Sequence, residues 1–200
     1  MRGIEEMTKS IQQLQDTIGY KFHNPVFLEV ALTHSSYANE VKHQLKYNER
    51  QEFLGDAVLS IIVSDYLFNN YTVPEGELTK LRAAIVCEKS LDVMANKIHL
   101  GEYLRLGRGE EMTGGRTRPS IIADAFEALI AAIYLDSGIE SAVLLFCHLL
   151  PKCSNMRTAF PLRITRPSFR RLSSRIRRKN WYINWLGKRV LTMTNALLLM

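Results

Sequence analysis

The run Asn48-Glu49-Arg50-Gln51-Glu52-Phe53-Leu54-Gly55-Asp56-Ala57-Val58-Leu59 decides how this chain is read. Phe53, Leu54, Ala57 and Val58 recur at helical spacing, and Ile61 and Ile62 extend them. The pattern predicts a helix from Tyr47 to about Tyr71 with these six residues as its buried face. Glu49, Glu52 and Asp56 stand at i, i+3 and i+7 in the same run, which puts three carboxylates on one side of the helix. Like charges in that arrangement repel, and Asp and Glu are seldom placed among core residues without a partner.

Working outward, the rest of the first 150 residues also reads as helix. An amphipathic stretch from Thr8 to Ile18 stops at Gly19. Asn24-Pro25 is a helix start, with Asn as cap and Pro in the first helical position. Val26, Phe27, Val30, Ala31 and Tyr37 follow at helical spacing, and a polar connector from Asn39 to Lys46 leads to the central helix. Pro74 and Glu75 open another helix through Leu78, Leu81, Ile85 and Val86, which breaks near Glu88; Ser90 is the expected cap of the next, with Leu91, Met94 and Ile98. Gly101 to Pro119 holds five glycines and four arginines and is expected to be a functional loop. Ile121, Ile122, Ala125, Phe126, Leu129, Ile130 and Ile133 then mark a strongly apolar helix, and Ile139 to Leu150 a last one. No stretch alternates with period two over strand length. The expected fold class is all-α, a helical bundle over residues 1–150.

That second apolar helix repeats the anomaly of the first: Asp124 and Glu127 lie at i, i+3 inside it. One such pair is ordinarily a solvated helix face. Two sets, each inside a core helix, call for a compensating cation. An all-carboxylate site suits Mg²⁺, with Mn²⁺ as substitute, rather than zinc. Such a site serves phosphodiester hydrolysis, where the cation lowers the pKa of a bound water and offsets charge on the phosphate. A di-iron bundle would need Glu-x-x-His on two helices. The one such spacing, Glu40 with His43, falls in the polar connector.

An apolar fraction of 46% is enough for a core. No apolar run reaches membrane-spanning length, and Met1 to Ser10 carries Glu5 and Glu6 without an apolar block, so no secretory signal is expected there. Cys87, Cys147 and Cys153 follow no metal or disulfide spacing. Cys87 and Cys147 sit among apolar residues and are expected as buried free thiols, which fits a cytoplasmic location.

The run Asn48 to Leu59 resembles the signature helix of bacterial ribonuclease III, close to N-E-R-L-E-F-L-G-D-A/S, with Gln51 in place of the usual Leu. Three further blocks agree in order and spacing: Leu32 to Tyr37, Pro74 to Arg82, and Ile122 to Ile130. The resemblance covers about residues 10–150. It implies a dimeric endonuclease for double-stranded RNA that leaves 5′-phosphate and 3′-hydroxyl ends and takes part in rRNA and mRNA processing. It also implies that Glu52, Asp56, Asp124 and Glu127 bind the catalytic Mg²⁺, with Asp56 and Glu127 indispensable. Glu49 and Glu75 match accessory acidic positions, and Phe53 matches an apolar knob that enters the partner subunit. His34 reads as a structural, hydrogen-bonded histidine; Lys80 and Arg82 read equally as phosphate contacts or as a surface helix face. A buried Gln51 would leave an amide to satisfy, at a cost of about 1–3 kcal/mol.

The net charge of +6 is unevenly spread. Residues 151–200 contain 12 Lys and Arg and no Asp or Glu, a charge of +12, while the first 150 hold the other 14 basic residues and all 20 acidic ones, a net of −6. The family continues into a double-stranded RNA-binding domain, and nothing in 151–200 resembles it. One reading is a basic, aromatic-bearing arm that binds RNA. The other is a one-nucleotide frameshift before about Ile164. Read from the third nucleotide of each codon, permitted codons near the end of the chain give G-P-D-H-x-K-x-F, as in the missing domain. Trp181-Tyr182 compels Val in that frame, and Met193-Thr194 compels Asp. A frameshifted segment is expected to be disordered or marginally helical, with activity persisting at low salt and high enzyme concentration; the alternative is an inactive or weakly active truncated RNA-binding product.

Overall fold

The computed structural model describes residues 11–41 and 45–149. The basic segment 151–200, Cys153 and His43 lie outside the described residues.

The architecture is helical, as the patterning requires: α1 (11–18), α2 (Pro25–Ala31), α3 (Ser35–Glu40), α4 (Glu49–Asn70), α5 (Glu75–Ile85), α6 (Glu88–Lys97), α7 (Arg108–Met112), α8 (Pro119–Ser137) and α9 (Ile139–Leu149), with short 3₁₀ turns at Leu100–Tyr103 and Gly115–Thr117. Among the described residues the only β pairing is an isolated parallel bridge between Thr33 and Arg105. α8 is the axis of the molecule and packs against α2, α4, α6 and α9. From Ile121 to Ile133 every residue of α8 is buried except Asp124 and Glu127. A helix apolar all round must be enclosed on every side, and its neighbours supply that enclosure with Leu28, Val58, Leu59, Ile62, Leu91, Met94, Leu145 and Phe146.

Four local expectations need correction. The buried face of α4 is Gln51, Gly55, Val58, Leu59, Ile62, Val63 and Leu67, whereas Phe53, Ala57 and Ile61 face outward. Apolar residues occupy two sides of this helix, so their spacing alone could not tell which side meets α8. The helix begun at Pro25 does not continue to Tyr37. It ends at Ala31 because Thr33 pairs with Arg105, and His34 then caps a separate α3. α6 starts at Glu88, two residues before the expected cap, and Ser90 Oγ instead donates to the Ala84 carbonyl at 2.8 Å. Cys87 is exposed and Cys147 half-buried, so neither is a core thiol.

The Gly101–Pro119 segment is more ordered than a loop. Arg116 donates to the Gly101 and Glu102 carbonyls at 3.0 and 3.1 Å and pairs with Glu111 at 2.6 Å. Arg118 pairs with Glu110 and reaches Thr113 Oγ1 at 3.1 Å. These two arginines therefore hold the segment's own turns together.

At the far end of α8 the Asp136 carboxylate gathers the turn between α1 and α2. It accepts hydrogen bonds from Tyr20 Oη (2.6 Å), the His23 amide (2.9 Å) and the Asn24 amide (2.8 Å). Burial raises its pKa, but these donors outweigh burial and hold it below the usual carboxylate value. Asn24 in turn caps α2 through the Val26 amide, as expected. No helix among the described residues is long and apolar enough to cross a membrane.

Candidate active site

α4 and α8 cross where Gly55 faces the backbone of Glu127. A Cβ on residue 55 would fall on the Glu127 carbonyl oxygen, so only glycine lets the helices approach this closely. The flanking acids are thereby brought to the residues they need to meet. Glu52 and Asp56 on α4 lie against Asp124 and Glu127 on α8, close enough to perturb one another electrostatically.

The perturbation has a clear pattern. Burial, then the charges of Asp56, Glu52 and Asp124, push the Glu127 carboxyl up to about 8. Glu52 is raised by burial and by Asp124 and Glu49. Asp124 is raised by burial and by Glu88, with the nearby His34 ring acting in the opposite sense. Desolvation and like charge both disfavour the ionised form, and at Glu52, Asp124 and Glu127 they act together. Elsewhere, acids find cations: Glu77, Glu110 and Glu111 pair with Lys80, Arg118 and Arg116. Among the described residues no Lys, Arg or His forms an ion pair with Glu49, Glu52, Asp56, Glu88, Asp124 or Glu127. Glu52, Asp124 and Glu127 are half-buried while Glu49, Asp56 and Glu88 are exposed, and grouped carboxylates without a cation are the donor chemistry of a hard-metal site. As the side chains stand, no three of them are arranged to hold an ion among the described residues. The match is one of donor type and placement, not of a closed coordination sphere.

Of the residues singled out in the sequence, Glu49, Glu52, Asp56, Asp124 and Glu127 come together. Glu75 begins α5, and its carboxylate accepts from Thr79 Oγ1 at 2.7 Å. Glu88 was missed. It begins α6, which packs on α8, and the helical pattern had marked it only as a break. Lys80 is engaged with Glu77 at 3.1 Å, and Arg82 donates to Ser64 Oγ at 3.0 Å. His34 fills its structural role, its Nδ1 capping α3 through the Ser36 amide. Gln51 is buried; its amide nitrogen donates to the Phe27 carbonyl at 3.2 Å, while Oε1 has no partner. Phe53 is 81% exposed, and with Ile61 at 58% and Phe68 at 76% it forms an apolar outer face on α4.

Known proteins share this arrangement of sequence and fold. Ribonuclease 3 of Listeria innocua is 55% identical over 134 residues, which is 66% of this chain and 58% of the relative. That of Clostridium tetani is 58% identical over 131 residues, covering 65% and 55%. The chain thus spans less than two thirds of the length of these curated relatives. The crystal structure of the nuclease domain of ribonuclease III from Campylobacter jejuni superposes with a TM-score of 0.64 at 40% identity, over 76% of this chain and 96% of that one. A second structure of that domain, described for flexibility in a region involved in dimer formation, gives a TM-score of 0.66 over 99% of its length. The ribonuclease-III-like family model matches residues 24–152, from the cap of α2 to beyond the end of α9 and so across both acid-bearing helices, and the chain belongs to that family.

Proposed function

We propose that this chain is an endoribonuclease that hydrolyses double-stranded RNA with a divalent cation and leaves 5′-phosphate and 3′-hydroxyl ends. The observation that carries this reading is the set of uncompensated carboxylates at the α4–α8 crossing, in a chain of this family. Glu52, Asp56, Asp124 and Glu127 would hold Mg²⁺, or Mn²⁺ in its place, with Glu49 as an outer acidic neighbour. Once bound, the cation lowers the pKa of a water and offsets charge on the phosphate. The protein's part is to keep four acids facing one another on two rigid helices, with Glu127 most deeply desolvated. Because Glu127 keeps its proton to about pH 8, it must release that proton as the cation enters.

The outer face of α4 fits a second copy of the chain, so the active species is a homodimer joined through Phe53 and its neighbours. Processing of rRNA and mRNA precursors in the cytoplasm is the role that accompanies such an enzyme, and Glu75 is kept as an accessory acid. We read residues 151–200 as coding sequence for the RNA-binding domain translated in another frame. On that reading cleavage is strongest at low salt and high enzyme concentration, and the basic segment restores only sequence-independent affinity. Sequencing the gene decides this part: an early stop in the alternate frame, with no such domain, disproves it.

The activity test is incubation of duplex RNA with the full chain in Mg²⁺, in chelator, and with Glu127→Gln. Cleavage should occur in Mg²⁺ alone and fall by at least about a hundredfold in the variant, as for loss of a group that stabilises the transition state. Cleavage that is indifferent to the substitution or to chelator rejects the site.

A further inference from the structure

The outer face of α4 carries more than apolar residues. Successive residues of a helix are turned by about 100°, so Phe53, Ala57, Ile61 and Phe68 fall on one stripe along α4, and Ser64 lies on it with them. Ser64 is where α5 reaches this face: Arg82 Nη1 donates to Ser64 Oγ at 3.0 Å, which holds a half-buried guanidinium against the stripe. That bond uses one of the side chain's several N–H donors. Among the described residues no carboxylate pairs with Arg82. Glu49, Arg50 and Asp65 of α4 are exposed, and none of them is in an ion pair among the described residues. Asp65 Oδ1 accepts from Asn69 Nδ2 at 3.0 Å, a neutral partner one turn on.

These unpaired charges are arranged in a pattern. Measured around the helix from Ala57, Glu49 and Ser64 fall on one edge of the stripe, and Arg50 and Asp65 on the other. One edge therefore begins acidic, at Glu49, and ends basic, where Arg82 meets Ser64. The other begins basic and ends acidic. From 49 to 64 and from 50 to 65 is 15 residues in each case, about 22 Å along a helix, so the opposite charges cannot meet within one copy. Both intervals are centred within one residue of Ala57. A second copy packed parallel would set each charge against its own counterpart and repel. An antiparallel copy about a two-fold axis at Ala57 lays each edge along the same edge of its partner in reverse order. Glu49 then faces Arg82, and Arg50 faces Asp65. The small Ala57 side chain lets the two backbones approach at the crossing. Phe53 and Ile61, each four residues from Ala57, cover the opposite ends of the seam.

Resting on the homodimer reading above, we propose that two copies pack α4 on α4 in antiparallel order about Ala57, and that Arg82 acts in trans by pairing with Glu49 of the partner subunit. Arg50 and Asp65 of the partner subunit close the other edge. Glu49 stands one turn before Glu52 on α4, so each subunit's arginine borders the other's acidic cleft, and the margin of either cleft is complete only in the dimer.

Sedimentation of the full chain in chelator tests this through the Kd of the dimer. Arg82→Glu and Glu49→Lys should each weaken the dimer on the order of tenfold or more, because each sets like charges across the seam twice. An equimolar mixture of the two variants should associate nearly as tightly as wild type, since in the mixed dimer both contacts again join opposite charges. Arg82→Gln keeps a donor for Ser64 without the charge and should weaken the dimer by less. A mixture no tighter than either variant alone, or two variants with the wild-type Kd, overturns the pairing. The homodimer reading then still stands if Phe53→Glu dissociates the wild-type dimer. Arg82→Glu that leaves the Kd unchanged but lowers affinity for duplex RNA gives the side chain to a phosphate and overturns the pairing as well. A wild-type chain that sediments as a monomer at every concentration removes the homodimer reading and the pairing together.

Discussion

Glu127 retains its proton far above the range where a carboxylic acid in water gives it up. Its pKa moves from 4.5 to about 8 on folding. Between these values the folded state binds more protons than the unfolded state, so stability must fall as pH rises through that window. Without divalent cations, the melting temperature should therefore decline from pH 5 to pH 8.5, and Glu127→Gln should flatten the decline. Added Mg²⁺ should restore stability most at the upper end, where the carboxylates are ionised. A wild-type profile that is flat or rises over this range contradicts the desolvated cluster. Gln51 presents a simpler case. Its Oε1 is buried without a partner, and only its amide nitrogen is used. Gln51→Leu removes the orphaned oxygen at the loss of one hydrogen bond to Phe27, and urea unfolding should show a gain of about 1 kcal/mol. A loss of stability would mean that the oxygen is satisfied after all.

At the scale of elements, α4 does two things with two faces, and Gly55 decides how close the inner one comes. Gly55→Ala must push α4 away from the Glu127 backbone, since backbone atoms cannot turn aside as a side chain can. Chemical denaturation should report a loss of about 3 kcal/mol, at the upper end for overpacking. Mg²⁺ affinity should fall with it, because Asp56 and Glu127 separate as the helices part. Much of this was legible in the sequence: acids at helical spacing inside apolar runs identified α4, α8 and the five carboxylates that meet. The side of α4 that is buried was not legible, because Phe53, Ala57 and Ile61 are as apolar as Val58 and Ile62, and only the position of α8 distinguishes them. Nor was Glu88, whose relation to Asp124 arises from packing between helices and not from spacing along one. The 101–119 segment reads in sequence as a functional loop, and two of its arginines are engaged by carbonyls and acids a few residues away.

For the molecule as a whole, the outer face of α4 is the feature that a single copy does not explain. Phe53 contributes little to the fold of one subunit, so Phe53→Glu should leave the subunit's intrinsic stability within about 0.5 kcal/mol. Sedimentation should nevertheless show a shift from dimer to monomer. A variant that remains dimeric places the subunit contact elsewhere. The central position of α8 has a further consequence, in the order of events during synthesis. α8 is the penultimate described helix to be made, yet α2, α4 and α6 all bury their apolar faces against it. At ribosomal rates of about 5–20 residues per second, the nascent chain must carry those faces uncovered for several seconds. Asp124 and Glu127 arrive on the same helix that completes the core, so the growing chain acquires its shape and its acidic cleft together.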